Sequence, residues 1–420
     1  MNEKLIIKNF GPIKDIEITL NKVNLFIGPQ SSGKSTIAKI VSFCQWLEKS
    51  VIVNQGKQHI DGDFLAGQLI AYHGFEGYTS SDSYIFYESD LIIFEYHSTE
   101  DFSIKLKDGF EEAGMHKVAY IPSERNIVSI PNLSTLSLEN KYTRQFIFDW
   151  LRIRNKYGNN HRLSILDLGV DYFYGSPKGD TIVLEDGKTI QLSVASSGLQ
   201  ALVPMLIYIN YVTEWIYNNE DDISFDKYTL LQKTVLSTIP RKDNAKDKFS
   251  NEEIELVLKN KKIRQSLNDI LKQLASSPEI NPFNELFNRI AKPHSTKLTI
   301  EESEMNVFPT TQYSLIKYIF SSMDFTRGDT LLLTTHSPYI MTSINNLIQA
   351  NNASLEPDAD VERLTKVVPR KSWMSYTDVN AWAIERGYIT SINDDEAQLI
   401  STDDLDRASD IISDEFNQLL

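Results

Sequence analysis

Gly28-Pro29-Gln30-Ser31-Ser32-Gly33-Lys34-Ser35 follows the apolar run at 23–27 and leads into Thr36-Ile37-Ala38-Lys39-Ile40-Val41. The spacing G-x-x-x-x-G-K-[ST] thus falls between a predicted strand and a predicted helix, where it has a mechanism. Glycines at both ends let the backbone curl so that successive amides point inward at phosphate oxygens, and the positive end of the new helix faces the same anion. Gly28, Pro29, Gln30, Ser31, Ser32, Gly33, Lys34, Ser35 and Thr36 form the predicted nucleotide-contacting loop. Lys34 reaches the outer phosphates as a point charge, and Ser35 offers its hydroxyl to magnesium, which takes few protein oxygens and completes its shell from phosphate and water.

The 420 residues exceed one ordinary domain, so a main body with an insertion or appendage is expected. Hydrophobic residues at 41% and charged residues at 24% describe a globular chain, and no window approaches the roughly 20 apolar residues of a bilayer span. Met1-Asn2-Glu3-Lys4 runs straight into a strand without an apolar signal core, which predicts a cytoplasmic location and no membrane. Cys44 stands alone, excludes an internal disulfide and is expected in the core. A formal charge of −15 argues against a generic grip on nucleic acid, though it leaves room for a local basic groove.

Residues 5–13 read as a strand ending in a glycine-proline turn, 16–20 as its hairpin partner, and 23–27 as the strand that delivers the phosphate loop. This opening, with Lys8-Asn9-Phe10-Gly11-Pro12-Ile13 at its turn, resembles the start of the RecF, SMC and OLD-like branch of ABC-type ATPases. The resemblance implies an α/β fold, a P-loop ATPase head with a mixed sheet, flanking helices and an antiparallel side sheet. It also implies ATP and Mg2+ as cofactors and hydrolysis only in a dimer or larger assembly with shared sites.

A helix over 34–49 carries Ile37, Ile40, Val41, Cys44 and Leu47 on one face, and 54–82 stays unassigned. Residues 84–87, 91–96 and 102–106 read as strands of the side sheet. A strand at 118–122 is followed by Ser123-Glu124-Arg125-Asn126, where the resemblance puts a loop sensing magnesium and the γ-phosphate, usually through a glutamine. None stands here, so Glu124 or Arg125 is either a substitute sensor or part of a surface salt bridge. After a helical pattern at 137–157 and a hairpin at 181–194 comes Ala195-Ser196-Ser197-Gly198-Leu199-Gln200, opening an apolar helix to about 216. By itself this is a capped helix. It also resembles the signature motif of ABC and SMC-type ATPases, which implies that Ser196 or Ser197 with Gly198 meets the γ-phosphate held by another copy.

Residues 213–292 read as a helical insertion, with an amphipathic helix at 250–274 and a basic cluster of Lys259, Lys261, Lys262 and Arg264. The strand at 297–300 then ends in Glu301-Glu302-Ser303-Glu304, similar to the Walker B segment of OLD-like ATPases. The resemblance gives Glu301 to magnesium through its waters and Glu302 to the attacking water as base. Leu331-Leu332-Leu333-Thr334-Thr335-His336-Ser337-Pro338 is a strand with His336 at its end, the position of the family's switch histidine, which touches the γ-phosphate.

The chain after 345 reads as polar to about 357, with a strand at 364–368, a helix at 379–384 and an amphipathic pattern from 405 to 419. Nine acids and one arginine over 391–420 supply more than half of the net charge. The expected organisation is a head in two parts, 1–212 and 293–350, the insertion at 213–292, and an acidic appendage at 351–420. OLD-like proteins carry a nuclease domain after the histidine, and no strand-borne acidic pair stands here to supply one. The chain in this respect resembles ATPase components of bacterial anti-phage systems such as PARIS and Septu, which implies a separate nuclease or toxin effector as partner. A RecF-like DNA maintenance ATPase and a nucleotide-dependent scaffold with little turnover are the alternatives.

Overall fold

The computed structural model of the chain describes residues 3–53, 56, 60–109, 113–130, 141–218, 293–402 and 412–419. It divides into two units, Met1–Glu214 with Ser295–Leu420, and Trp215–His294. The amphipathic helix and basic cluster expected within 250–274 lie outside the described residues.

The first unit is built on an eleven-stranded mixed sheet. β1 (Glu3–Phe10), β2 (Ile13–Leu20) and β3 (Val23–Ile27) open the chain. β4 (Tyr84–Glu88), β5 (Ile92–Tyr96), β6 (Phe102–Leu106) and β7 (His116–Ile121) follow. A separate four-stranded sheet of β8 (Leu163–Ser164), β9 (Asp171–Gly175), β10 (Gly179–Val183) and β11 (Thr189–Gln191) holds the expected hairpin. β12 (Ser295–Glu301), β13 (Thr330–Thr335), β14 (Val379–Glu385) and β15 (Tyr388–Ser391) return to the main sheet, whose order is β6-β5-β4-β1-β2-β15-β14-β3-β13-β12-β7.

The strands from β14 to β7 run parallel, and those from β6 to β2 form an antiparallel wing. The patterning explains the division. β3 and β12 are buried at every residue, as parallel strands covered on both faces must be, whereas β2 alternates buried and exposed residues. The parallel strands point their carboxyl ends at one edge, where β3 feeds the phosphate loop, β12 the acidic turn and β13 His336. That edge is where ligands bind in open α/β sheets.

Helix α1 (Lys34–Val53) lays Ile37, Ile40, Val41, Cys44 and Leu47 into a core shared with β1, β2 and β4. Cys44 is fully buried there, which pushes its thiol well up. α2 (Lys141–Ile153) and α3 (Ser197–Asn210) pack together, and α4 (Pro309–Ser322) packs on α5 (Pro338–Ser354). No helix among the described residues is long and apolar enough to cross a membrane.

Three expectations for the last part of the chain are overturned. The stretch read as polar after 345 continues α5 to Ser354, with Ile344, Leu347 and Ile348 buried at helical spacing, while Asn345 and Asn352 bond the carbonyls of Ile400 and Gln398. Residues 361–367 form a helix, α6 (Val361–Val367), instead of a strand, because Asp360 caps it through the Arg363 amide and Pro369 follows its end. Residues 379–384, read as a helix, are the strand β14, which runs parallel beside β3 in register with Ala383 opposite Ile27. A short apolar run buried on both sides has no periodicity to tell the two apart. The expected appendage at 351–420 therefore supplies two strands to the middle of the head sheet. Residues 412–418 are helical and exposed.

Candidate functional site

Gly28 through Gly33 curl between β3 and α1 because neither glycine tolerates a side chain. A Cβ on Gly28 would stand 2.3 Å from the Ile384 carbonyl oxygen of β14, and one on Gly33, at φ +109°, 2.3 Å from Ile13 Cδ1. Lys34, at the first turn of α1, folds back over the loop. Its Nζ donates to the carbonyls of Gly28 and Pro29, each at 2.8 Å, and lies 3.4 Å from Ser32 Oγ and from His336 Nδ1. The side chain is 4% exposed, and burial pushes its pKa down to about 8 against the upward pull of Glu302 and Glu304.

His336 joins the loop to the acidic turn. Its Nε2 stands 3.3 Å from Glu302 Oε1, and its main-chain N–H donates to Glu304 Oε1 at 2.6 Å. A charged Lys34 can only donate, so Nδ1 is the acceptor and Nε2 carries the proton facing Glu302. Lys34, His336 and Glu302 thus form a continuous line from the phosphate loop to a half-exposed carboxylate. Glu302 itself has a left-handed backbone, φ +44°, and its N–H donates to the Thr334 carbonyl at 3.0 Å.

Glu301, at the end of β12, is 2% exposed. Burial holds its carboxyl above the usual range, offset by Lys39, Tyr120 and Ser35. Oε2 accepts from the Ser123 amide at 3.4 Å, whereas Oε1 is buried without a hydrogen-bond partner among the described residues. A buried, unpartnered carboxylate oxygen beside the Ser35 hydroxyl fits a hard divalent cation, which takes oxygen ligands and leaves further positions to phosphate and water. No group of three or more His, Cys, Asp or Glu side chains that could hold a metal by themselves occurs among the described residues.

Glu124 is exposed, and its charge helps to raise the Glu301 pKa, so it stands near the carboxylate at the end of β12. Glu124 accepts from the Tyr142 hydroxyl at 3.3 Å. Arg125 is wholly buried under the end of β12 and donates to main-chain carbonyls, so it is not part of a surface salt bridge.

Ser196 caps α3 by accepting from the Leu199 amide, and Ser196 and Ser197 are exposed. None of their hydrogen bonds reaches this chain's own phosphate loop. Gly198 instead presses on the acidic turn, where a Cβ would stand 2.8 Å from the Asn306 carbonyl oxygen. Val194, Phe308 and Tyr339, each next to one of these motifs, are 72%, 72% and 53% exposed. Sequence reasoning missed Glu304, whose signal was the third acid in Glu-Glu-Ser-Glu, and Thr334, which carried none.

No family model matches the chain, and no curated protein matches it. Among solved structures it is similar to the SMC head domain from Thermotoga maritima, over 93% of this chain and 98% of that one, at 10% identity and a TM-score of 0.38. It is similar to the recombination mediator protein RecF of the RecFOR pathway, over 93% and 98%, at 13% identity and 0.31. A dimeric bacterial ABC transporter cassette aligns over 92% and 96%, at 8% identity and 0.24. At these values the likeness carries no argument about the site, whose chemistry rests on its own residues. The described residues give the α/β fold expected from the sequence, a mixed sheet with flanking helices and an antiparallel side, with the phosphate loop between β3 and α1.

Proposed function

We propose that this chain is a magnesium-dependent ATPase whose active sites are shared between copies of itself. The observation that carries the reading is the line from Lys34 through His336 to Glu302 at the carboxyl edge of the sheet. The outer phosphates of ATP take the Lys34 ammonium from the carbonyls of Gly28 and Pro29, while the loop amides hold the remaining oxygens. His336 turns its Nε2–H from Glu302 to the γ-phosphate, which frees the Glu302 carboxylate to accept a proton from the attacking water. Ser35 and Glu301 would hold magnesium, which would supply charge neutralisation at the phosphates.

Ser196, Ser197 and Gly198 serve the γ-phosphate bound by another copy. Their exposure supports this, as does the exposure of the large apolar side chains Val194, Phe308 and Tyr339, which neighbour the motifs in sequence. In the finer reading, which follows the sequence resemblance, ATP-gated association holds or releases a separate nuclease or toxin effector in bacterial anti-phage defence.

The test is ATP turnover by the purified protein with and without linear duplex DNA, beside Glu302→Gln. The expected outcome is DNA-independent turnover that Glu302→Gln lowers by about 100-fold or more, with a longer-lived ATP-bound assembly in size-exclusion chromatography. Marked stimulation by DNA would favour the maintenance reading, and nucleotide binding without turnover the scaffold.

A further inference from the structure

We infer that Arg125 is a positioning residue for this hydrolysis: its guanidinium holds the turn that aims Glu302 into the site. The inference rests on the ATPase reading. Arg125 is 0% exposed. Its Nη1 donates to the carbonyls of Pro122 at 3.2 Å and Glu301 at 2.8 Å, and its Nη2 to those of Glu302 at 2.7 Å and Ser303 at 3.3 Å. All four acceptors are main-chain oxygens, and three belong to consecutive residues at the end of β12.

Glu301 ends β12, and Glu302 and Ser303 leave the sheet in a conformation that Arg125 helps to fix. Glu302 has φ +44°, a region costly for a residue with a Cβ and kept only where the surroundings over-determine it. Past Glu301 the strand ladder ends, and buried carbonyls there take donors from the turn itself and from Arg125. The Glu302 N–H is held by the Thr334 carbonyl at 3.0 Å and hydroxyl at 3.2 Å, and its carbonyl by Arg125 at 2.7 Å together with the Met305 N–H at 2.9 Å. With both main-chain groups tied, the side chain leaves toward His336.

A planar guanidinium presents several donors in a fixed fork and can span consecutive carbonyls, whereas a lysine ammonium is a compact point on a flexible stem. Burial pushes the Arg125 pKa down to about 10, against the upward pull of the nearby carboxylates of Glu304, Glu302, Glu301 and Glu124, none of which takes a hydrogen bond from it. The turn bearing Arg125 (Ser123–Ser129) also packs against α3, so the residue sits between the acidic turn and the signature-like helix.

The test compares Arg125→Lys and Arg125→Gln with the wild type in the full chain. It reads affinity for a non-hydrolysed ATP analogue, turnover, and hydrogen exchange over 301–307 and 28–40. In both variants nucleotide affinity is expected to stay within about threefold while turnover falls about 100-fold, the scale of a misplaced catalytic group. Exchange over 301–307 quickens while that over 28–40 is unchanged. Adding Glu302→Gln to Arg125→Lys costs nothing further, because the arginine acts through that carboxylate.

Arg125→Lys with turnover within about threefold of wild type would overturn the inference, as would losses that multiply with Glu302→Gln. Loss of nucleotide binding in both variants would also overturn it, in favour of a general structural role. If the wild type binds ATP without turnover, the ATPase reading fails by itself, and exchange decides the arginine: quickened over 301–307 supports the positioning role, and unchanged overturns it.

Discussion

Lys34 sits where two demands on one ammonium compete. Burial disfavours its charge and brings the pKa down to about 8, while Glu302 and Glu304 pull the other way. An anionic phosphate stabilises the ammonium, so the nucleotide-bound pKa lies above the free one, and binding takes up a proton wherever Lys34 is neutral beforehand. Affinity is therefore flat below the free pKa and falls as pH rises through about 8, approaching tenfold per unit. Titrating a fluorescent ATP analogue at pH 7 to 9.5 checks this. Lys34→Ala is expected to abolish binding across that range, because the loop amides then face the outer phosphates without the point charge.

At the scale of elements, the start of α3 and the turn after β12 touch so closely that each constrains the other. Gly198 is glycine because the Asn306 carbonyl oxygen occupies the place of a Cβ, and Asn306 itself has φ +60°. Gly198→Ala forces a main-chain atom to move, an overpacking that costs about 1–3 kcal/mol. The shift passes into the turn bearing Glu302 and Glu304. The expected result is a lower thermal midpoint and a drop in turnover of about tenfold or more, with affinity for nucleotide at Lys34 little changed. A variant with wild-type turnover and midpoint would show that the turn absorbs the methyl group freely.

At the scale of the molecule, the head closes through residues far apart in the chain. β14 lies between β3 and β15, and the Ile384 carbonyl packs on Gly28, so the phosphate loop is backed by a strand some 350 residues downstream. A buried ion network joins other distant elements: Lys297 of β12 meets Glu3 of β1 at 2.8 Å and Glu48 of α1 at 3.4 Å. Truncation after residue 351 is expected to give insoluble protein without nucleotide binding, because β3 loses a parallel neighbour and becomes an exposed apolar edge. Truncation after residue 402 removes described residues that are exposed and should leave the thermal midpoint within about 2 °C. Expression and calorimetry of both truncations check the pair.

The sequence by itself determined what depends on neighbours along the chain. The loop from Gly28 to Ser35, the early strands, the hairpin around Asp186-Gly187 and the cap at Ser196 follow from local spacing, and each lies where it was read. So does the order of the motifs, which sufficed to expect an ABC-type head. Only the tertiary structure decided the rest, because it depends on contacts between residues hundreds of positions apart. Val379–Glu385 is a strand because β3 and β15 flank it, a fact absent from seven apolar and polar residues read alone. In sequence Arg125 reads as a substitute sensor or part of a surface salt bridge, and only the fold sets it on the carbonyls of 301–303, just as only β13 brings the His336 amide to Glu304. Local spacing fixes which groups can bind a phosphate, and the sheet that sets five parallel strand ends side by side decides which of them meet.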